Sequence, residues 1–384
     1  MKLALFGENR IDYLLNEFIK IYNSIPSIND QLEILAVVEA FHCDNELPDL
    51  PLIGLGDFLQ LYHSGDIDGL LIPREHFAGT TNLLTLLTNN GLNIENVYIS
   101  KRLNEISEAL KNTNAISIID PYLDSSHLPY LEFHVSDHCN LNCIACEHYS
   151  GLMKEKKFTN FDSWKKDMEK LHENIEDIGT IRLLGGEPLL HEDLDKFLIV
   201  TRGLYPYSNI MIVTNALLVK SMPQKLIDAI HKNNISIYIS FYPPLEKKMP
   251  EIEAFLQENN INYAKTPLIK QFTKKQVLTP HNSMKESFDN CAQSHCNNLY
   301  EGKIAACFLP FTTHYFNEYF DKNIPETGAL NLYEDDISTR KIKEHLLTPW
   351  DRCCYCDQEE PIDWGVVKHP SSLNQWTKTS TQYI

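Results

Sequence analysis

The stretch YLEFHVSDHCNLNCIAC, residues 130–146, decides how the rest of the chain is interpreted. Residues 130–136 alternate apolar and polar side chains, which predicts a strand. The loop after this strand carries Cys139, Cys143 and Cys146, with three and then two residues between the thiols. Three thiols so close in sequence cover only one face of a metal centre, whereas a structural zinc ion takes four ligands. The spacing therefore favours an iron–sulfur cluster with one iron left open.

Strands and helices alternate on both sides of this stretch. Upstream, the pattern predicts strands at 2–6, 32–39, 69–72 and 97–100, with amphipathic helices between them. Downstream, at least five further strand–helix repeats follow before residue 265. Strict alternation of this kind predicts parallel βαβ units. We therefore predict an α/β chain.

Two breaks divide the chain into three predicted domains. Turn-forming residues fill the segment 121–129, and the alternation weakens beyond Pro267. We predict a Rossmann-like parallel-sheet domain over 1–125, a partial (β/α)6 barrel over 126–270 and a cysteine-rich domain over 271–384. The barrel region is too short for the usual eight units.

The charge balance excludes two classes of partner. The chain has 34 basic and 52 acidic side chains, a net charge of −18. Such a field repels phosphate backbones and anionic lipids, so we expect neither nucleic acid nor a membrane surface as partner. No apolar run approaches the roughly 18 residues of a membrane span, and the start of the chain turns polar too early for a signal peptide. We expect a cytoplasmic protein.

The cysteines point to metal or redox chemistry. The cytosol keeps thiols reduced, and a chain of 384 residues needs no disulfide framework. Nine of the ten cysteines fall into two groups, and only Cys43 stands apart. For the first group, the alternative to an iron–sulfur cluster is a zinc site completed by His138 or His148.

A second motif, Gly185-Gly186-Glu187-Pro188, directly follows a strand predicted over 180–184. Two glycines let the backbone approach a ligand closely, and a glutamate can accept a hydrogen bond from an ammonium group. This turn, one strand after the cysteine loop, resembles the radical S-adenosylmethionine (radical SAM) superfamily. The resemblance covers residues 130–265.

The resemblance implies a cofactor site. Cys139, Cys143 and Cys146 match the three ligands of a [4Fe-4S] cluster whose open iron chelates S-adenosylmethionine (SAM). The Gly-Gly-Glu segment, Gly185, Gly186 and Glu187, matches the one that holds the methionyl amino group. Further residues at strand ends match positions near the cofactor, although polar caps of strands are the alternative: Thr214, Asn215 and Ser240.

The chain departs from the family pattern at two positions. Ala216 stands where a glycine commonly follows the Thr-Asn pair. Ala145 stands where an aromatic residue commonly packs on adenine, and Tyr149 is our candidate for supplying that ring instead.

The second cysteine group follows a different spacing. Ten residues separate Cys291 from Gly302 and four more lead to Cys307, before the pair Cys353 and Cys356. This pattern looks like the Twitch domain of radical SAM enzymes, the shortened form of the auxiliary-cluster (SPASM) domain. It implies one additional [4Fe-4S] cluster on these four cysteines, with Cys296 as a rival ligand and a zinc site as the alternative. We expect the preceding segment 350–352 to brace this site.

The resemblance implies reductive cleavage of SAM to a 5′-deoxyadenosyl radical, which abstracts hydrogen from a small-molecule substrate. An electron donor such as flavodoxin or ferredoxin would reduce the cluster. A substrate radical can then be oxidised by the second cluster, or epimerised if a thiol returns hydrogen. The candidate donors are Cys296 and Cys354.

The substrate class is open at this stage. The segments 52–54, 57–62 and 68–72 resemble small Rossmann-like modules attached to enzymes of surface-polysaccharide and nucleotide-sugar metabolism. Ligands of parallel sheets usually lie at the carboxyl ends of the strands, here at Gly7, Glu8, Asn9 and 54–56, and a tight-turn role for these glycines is the alternative. We therefore favour a nucleotide-linked or polysaccharide-precursor sugar. The alternatives are modification of a ribosomally made peptide and a non-catalytic iron–sulfur or zinc scaffold or sensor.

Overall fold

The computed structural model describes residues 1–7, 10–25, 31–39, 50–74, 80–111 and 117–378. The chain divides into two compact units, Met1–Pro129 and Tyr130–Ile384. Glu8, Asn9 and Cys43, which the sequence singled out, lie outside the described residues. In the parts of the chain that are described, no helix combines the length and apolarity needed to cross a membrane.

The first unit is built on a six-stranded sheet. Its strands are β1 (Lys2–Phe6), β2 (Glu33–Glu39), β3 (Leu52–Gly54), β4 (Gly69–Ile72), β5 (Val97–Ser100) and β6 (Ile119–Pro121). Its helices are α1 (Arg10–Asn23), α2 (Leu55–Ser64), α3 (Thr80–Asn89) and α4 (Leu103–Lys111). The strand order is β3-β2-β1-β4-β5-β6. All pairs are parallel except β5 with β6.

This topology confirms the α/β class predicted from alternation. Leu3, Leu5 and Leu71 from the strands and Ile106 from α4 belong to one buried cluster, so the apolar runs of the strands form the core. The segment 54–56, predicted as a ligand-facing turn, is the junction where β3 ends at Gly54 and α2 begins at Leu55.

The second unit contains the cysteine motifs. Its strands are β7 (His127–Ser136), β8 (Asp177–Gly185), β9 (Asn209–Thr214), β10 (Ser236–Ile239), β11 (Tyr263–Lys265), β12 (Gln271–Gln276), β13 (Asn298–Tyr300), β14 (Lys303–Ala305), β15 (Ala329–Asn331) and β16 (Cys356–Asp363). Its helices are α5 (Phe161–His172), α6 (Leu194–Leu204), α7 (Gln224–Lys232), α8 (Met249–Glu258), α9 (Met284–Asp289), α10 (Leu309–Phe320) and α11 (Thr339–Leu346).

Eight of these strands form one sheet in the order β11-β10-β9-β8-β7-β13-β14-β15. The pairs from β8 through β11 are parallel, and β13 is parallel to β7. Strands β13, β14 and β15 pair antiparallel among themselves. The region predicted as a separate C-terminal domain therefore contributes three strands to the sheet of the barrel region.

Aromatic packing fixes β7 beneath the cysteine loop. The ring of Phe133 lies 4.9 Å from that of Trp164 on α5 and 6.5 Å from that of Phe197 on α6. Every residue of β7 is buried. The loop that follows β7 therefore starts from a rigid base.

Candidate functional site

The cysteine loop leaves the end of β7 and turns back on itself. Asn142, Ala145 and Tyr149 have φ values of 49°, 56° and 55°, in the left-handed region that non-glycine residues rarely adopt. These turns hold Cys139, Cys143 and Cys146 near one another. Cys139 and Cys143 are 9% and 6% exposed. The three thiols thus share one largely buried surface.

The thiols perturb one another electrostatically. Burial raises the pKa of Cys143, and the neighbouring Cys146 and Cys139 thiolates add to the rise. Burial and the Cys139 thiolate raise the pKa of Cys146 to about 12. A bound cationic centre would reverse this repulsion, because ligand thiols bind as thiolates and release their protons.

His138 and His148 are the alternative ligands for a zinc ion at the cysteine loop. Among the described residues, no three His, Cys, Asp or Glu side chains are grouped as ligands of a single metal ion would be. The two histidines considered as zinc ligands pack against other rings. His148 lies 4.2 Å from the ring of Phe308, and His138 lies 6.3 Å from that of Phe158. Both histidine rings therefore contact a phenylalanine ring.

The two glycines after β8 press the backbone against the residues just before Cys139. A Cβ on Gly185 would lie 2.0 Å from the Ser136 carbonyl oxygen, and one on Gly186 would lie 2.3 Å from that of His138. The N–H of Gly186 donates to the Ser136 oxygen at 2.6 Å. The close approach expected from these glycines is therefore made to the end of β7, which fixes the cysteine loop against β8.

The carboxylate of Glu187 is enclosed by the chain. Its side chain is fully buried and accepts hydrogen bonds from the Thr214 hydroxyl at 2.6 Å and the Asn215 N–H at 2.9 Å. The Leu189 N–H donates to the same carboxylate at 3.0 Å. Burial raises the pKa of Glu187 to about 7, against the effect of these donors. Glu187 thus ties the end of β9 to the turn after β8.

Asn215 connects that anchor to the cysteine loop. Its side-chain nitrogen donates to the Asn140 side-chain oxygen at 2.7 Å and lies 3.7 Å from Cys139 Sγ. The next residue, Ala216, is fully buried with a φ of 58°. The left-handed backbone explains why glycine suits this position, and alanine adopts it here at a cost in strain.

Ser240 and Tyr149 lie in different surroundings. The Ser240 N–H donates to the Thr214 carbonyl at 2.9 Å, which places Ser240 beside the end of β9. The Tyr149 ring lies 5.4 Å from Phe316 and 5.9 Å from Trp376. Its hydroxyl donates to the Gln276 side chain at 3.1 Å. Tyr149 is only 4% exposed, so its ring is packed within this aromatic cluster.

The C-terminal region adds a residue that the sequence did not single out. The indole N–H of Trp364 donates to Cys143 Sγ at 3.2 Å. Trp364, Tyr242 and Phe272 pack around the buried Cys139 and Cys143. No local signal could have identified Trp364, because 221 residues separate it from Cys143.

Four cysteines of the second group line a single cavity. Cys291, Cys307, Cys353 and Cys356 all face it, whereas Cys296 and Cys354 do not. Burial raises the pKa of the Cys307 thiol, and Cys291, Cys356 and Cys353 add to the rise, so the four thiols lie within electrostatic range.

Cys296 has different neighbours. Burial raises the pKa of its thiol, and the buried Glu132 carboxylate on β7 adds the next largest contribution, followed by Cys307. Asn298, two residues later, donates to Glu132 at 3.3 Å. Cys296 is thus absent from the lining of this cavity, although Cys307 and Cys291 also influence its thiol.

Arg352, in the segment expected to brace the second site, is 3% exposed. Its guanidinium donates to Cys356 Sγ at 3.3 Å, to the Thr313 hydroxyl at 3.0 Å and to the Gln276 side chain at 2.5 Å. Gln276 also accepts from Tyr149. Three hydrogen bonds thus connect Cys356 of the second group, through Arg352 and Gln276, to Tyr149 beside the first group.

A second cavity lies between the two groups. Ala145, Cys146 and Tyr149 from the first loop line it together with Arg352, Gln293 and Leu309, which also line the second cysteine cavity. Lys274 and Lys275 add positive charge to its wall, although each pairs with a carboxylate. Glu147, which pairs with Lys275, lines the same wall, so this part of the cavity carries charges of both signs.

Comparison with known proteins gives one family match. Residues 133–257 match the model of the Radical SAM superfamily. A GTP 3′,8-cyclase of Sulfurimonas denitrificans is 37% identical over 124 residues, 31% of this chain and 37% of that protein. A GTP 3′,8-cyclase of Clostridium botulinum is 32% identical over 110 residues, 28% of this chain and 34% of that protein. The chain thus covers about a third of the length of these curated relatives.

Likenesses among solved structures are weak. BtrN in complex with AdoMet and 2-DOIA is 15% identical with a TM-score of 0.38, covering 60% of this chain and 93% of that chain. Streptococcus suis SuiB bound to S-adenosylmethionine is 14% identical with a TM-score of 0.34, covering 61% of this chain and 69% of that chain.

Proposed function

We propose that this chain, which carries a radical SAM domain over residues 133–257, cleaves S-adenosylmethionine reductively and takes a hydrogen atom from a small-molecule substrate. The observation that carries the proposal is the shared buried surface of Cys139, Cys143 and Cys146. When bound, a [4Fe-4S] cluster and SAM supply the electron transfer and the hydrogen abstraction.

The residues around this surface suit that pair of cofactors. The three cysteines are soft thiolate donors, which iron–sulfur clusters require. The Glu187 carboxylate is occupied by Thr214, Asn215 and Leu189. We therefore assign Glu187 the role of holding Thr214 and Asn215 in place, while the backbone of Gly185 and Gly186 lies along the cofactor side of the loop. Ser240, beside Thr214, completes this set.

The second cysteine group supports an auxiliary [4Fe-4S] cluster on Cys291, Cys307, Cys353 and Cys356. These four thiols share a cavity, and the Arg352 guanidinium donates to one of them. A buried cation stabilises the negative charge that a thiolate-bound cluster carries. A cluster here would accept an electron from a substrate radical formed near Cys146.

The cavity between the two groups is the site we assign to the substrate. Lys274 and Lys275 each pair with a carboxylate, and Glu147, the partner of Lys275, lines the same wall. The buried Arg352 guanidinium is therefore the cation that we assign to an anionic group such as the diphosphate of a nucleotide-linked sugar. Flavodoxin or ferredoxin would supply the electron.

Oxidation and epimerisation of the sugar differ in what happens to the substrate radical. Oxidation requires the auxiliary cluster to take an electron. Epimerisation requires a thiol to return a hydrogen atom, and Cys296 and Cys354 are the cysteines of the second group outside its cavity. Of these, Cys296 lies within electrostatic range of the buried Glu132 carboxylate.

Peptide modification is the second candidate. Radical SAM enzymes that modify peptides often carry a small winged-helix module, whereas the described part of the first unit is a mainly parallel βαβ sheet. The named relatives are GTP 3′,8-cyclases, matched over 124 and 110 residues. Because the names of these relatives include GTP, we include GTP among the compounds to be tested.

The decisive experiment measures 5′-deoxyadenosine from anaerobically reconstituted, dithionite-reduced protein. We expect slow formation without substrate and none from the variant with Cys139, Cys143 and Cys146 all changed to Ala. A matched control with Cys291→Ala and Cys353→Ala leaves the first loop intact and should still form product. A scaffold or sensor would form none in any variant.

The same assay identifies the substrate class. Uridine, thymidine, cytidine and guanosine diphosphate sugars, GTP and short peptides are added separately. We expect a nucleotide sugar to accelerate 5′-deoxyadenosine formation, because binding energy remote from the reacting carbon positions it. Acceleration by peptide alone would replace the sugar proposal.

A further inference from the structure

A short segment of the C-terminal region lies along the cysteine loop. The Ile144 N–H donates to the Gly365 carbonyl at 2.8 Å, and the Val367 N–H donates to the Asn142 carbonyl at 2.9 Å. Cys143 and Val366 form an antiparallel bridge between these two bonds. We call residues 364–367 the C-terminal strap. The strap fixes the backbone on both sides of Cys143.

The strap brings one side-chain donor to a thiol. Trp364 Nε1 lies 3.2 Å from Cys143 Sγ, within the range of a hydrogen bond to sulfur. The Trp364 ring stacks on Tyr242, with centroids 6.3 Å apart and planes 18° apart. Backbone pairing and ring stacking thus hold the indole N–H in a fixed direction.

We propose that Trp364 sets the reduction potential of the cluster bound at Cys143; this inference rests on the proposed function. Hydrogen bonds to cluster sulfurs stabilise the more negative, reduced state and so raise the potential. Trp364 is therefore a positioning and tuning residue, not a catalytic one. A cluster that must pass an electron to SAM needs its potential held by such fixed contacts.

Other donors near the thiols differ from Trp364. The Asn215 amide lies 3.7 Å from Cys139 Sγ, and it also donates to Asn140 at 2.7 Å, so its bond to sulfur is the weaker one. At the second group, the charged Arg352 donates to Cys356. The Trp364 donor lies closer to its sulfur than the Asn215 amide does, so its removal tests the stronger of these two neutral contacts.

The test is a potentiometric titration followed by electron paramagnetic resonance on the full, reconstituted chain. The first cluster is identified as the signal that changes when SAM is added to a parallel sample. We expect Trp364→Phe to make its reduction about tenfold less favourable, a negative shift of about 59 mV for one electron. The phenyl ring retains the stacking surface but has no N–H.

Trp164→Phe is the matched control. Trp164 is 3% exposed, and its indole nitrogen has no hydrogen-bond acceptor among the described residues. This variant removes an indole N–H from a buried residue of α5. The reduction potential of the first cluster should therefore equal that in the unmodified chain. Equal potentials in Trp364→Phe and the unmodified chain would overturn the inference.

A second measurement does not depend on a variant. Protein grown with ¹⁵N-indole tryptophan should show a nitrogen coupling to the reduced first cluster in pulsed resonance, without SAM. Its absence would also overturn the role of Trp364. If the unmodified chain has no cluster signal that responds to SAM, the proposed function itself fails; a responsive signal with no Trp364 effect leaves that function standing.

Discussion

The two cysteine groups differ in how far apart their thiols lie along the chain. The first takes its thiols from one loop between Cys139 and Cys146, immediately after a strand. In the second group, Cys291 precedes β13 and Cys307 follows β14. Cys353 lies just before β16, and Cys356 is the first residue of that strand. The first is therefore a local motif that the fold supports, whereas the second exists only once distant segments have packed.

The two groups also differ in the charge of the side chain that donates a hydrogen bond to sulfur. A neutral indole, Trp364, reaches the first group, and a buried guanidinium, Arg352, reaches the second. A charged donor stabilises negative charge more strongly than a neutral one. We expect the second cluster to have the higher potential and to be the better electron acceptor.

The largest expected effect is on iron content. Changing Cys139, Cys143 and Cys146 to Ala should remove about half of the iron and all 5′-deoxyadenosine formation, because four-iron clusters need their thiolates. Changing Cys291 and Cys307 to Ala should remove the other half and leave 5′-deoxyadenosine formation in place. Iron and sulfide analysis after anaerobic reconstitution checks both variants. Tightly bound zinc in either site would contradict the assignment.

A smaller effect tests how the first loop is held. Gly186→Ala places a Cβ 2.3 Å from the His138 carbonyl, so the backbone beside Cys139 must move. We expect a loss of about 1–3 kcal/mol in unfolding free energy, as for overpacked sites, together with weaker SAM binding. Gly203→Ala on α6 is the control, since nothing lies within 4 Å of its added Cβ. Equal losses in the two variants would mean that the contact with β7 is unimportant.

Arg352 tests the second site in the same way. Arg352→Gln removes a buried charged donor to Cys356 and Thr313. Hydrogen bonds to charged groups contribute about 1.5–3 kcal/mol, so the auxiliary site should lose iron on dilution while the first site keeps it. Lys285→Gln, on the exposed surface of α9, is the control for a lost positive charge. Retention of all iron in Arg352→Gln would remove the argument for electrostatic support.

The sequence identified what is local in this molecule. Predicted strands at 69–72 and 97–100 coincide with β4 and β5, and the cysteine loop and the Gly-Gly-Glu turn lie at strand ends as expected. Short apolar runs and turn residues determine these features within a few residues. The four cysteines favoured for the second group share a cavity. They were selected by a family resemblance and not by the periodicity of the sequence.

What the sequence missed depends on contacts between distant segments. Trp364 reaches Cys143 only because the strap pairs with the loop. The sequence also did not indicate that Thr214 and Asn215 donate hydrogen bonds to the carboxylate of Glu187. A residue's type shows which hydrogen bonds it can make, whereas the packing of distant segments determines which partner it contacts.

Glu187 gives a prediction for pH. Burial raises its pKa from 4.5 to about 7, so the folded chain holds this proton in a range where the unfolded chain has released it. This contribution to stability is full below about pH 4.5, falls as pH rises towards 7 and is absent above that. Glu187→Gln should remove this component, as measured by urea unfolding at pH 5 and pH 8. An unchanged pH profile would mean that Glu187 is ionised throughout.

The smallest expected effect concerns the backbone of the first site. Ala216 has a φ of 58°, where a non-glycine residue costs roughly 1–2 kcal/mol. Ala216→Gly relieves that strain, but it loses a buried methyl group and adds freedom to the unfolded chain. The matched control, Ala229→Gly in α7, has the same two losses without the relief, since Ala229 is also buried and lies in a regular helix. We therefore expect Ala216→Gly to be about 1–2 kcal/mol less destabilising than Ala229→Gly in urea unfolding. Equal losses would show that the turn after β9 is not strained, and that the departure from glycine at this position costs the first site nothing.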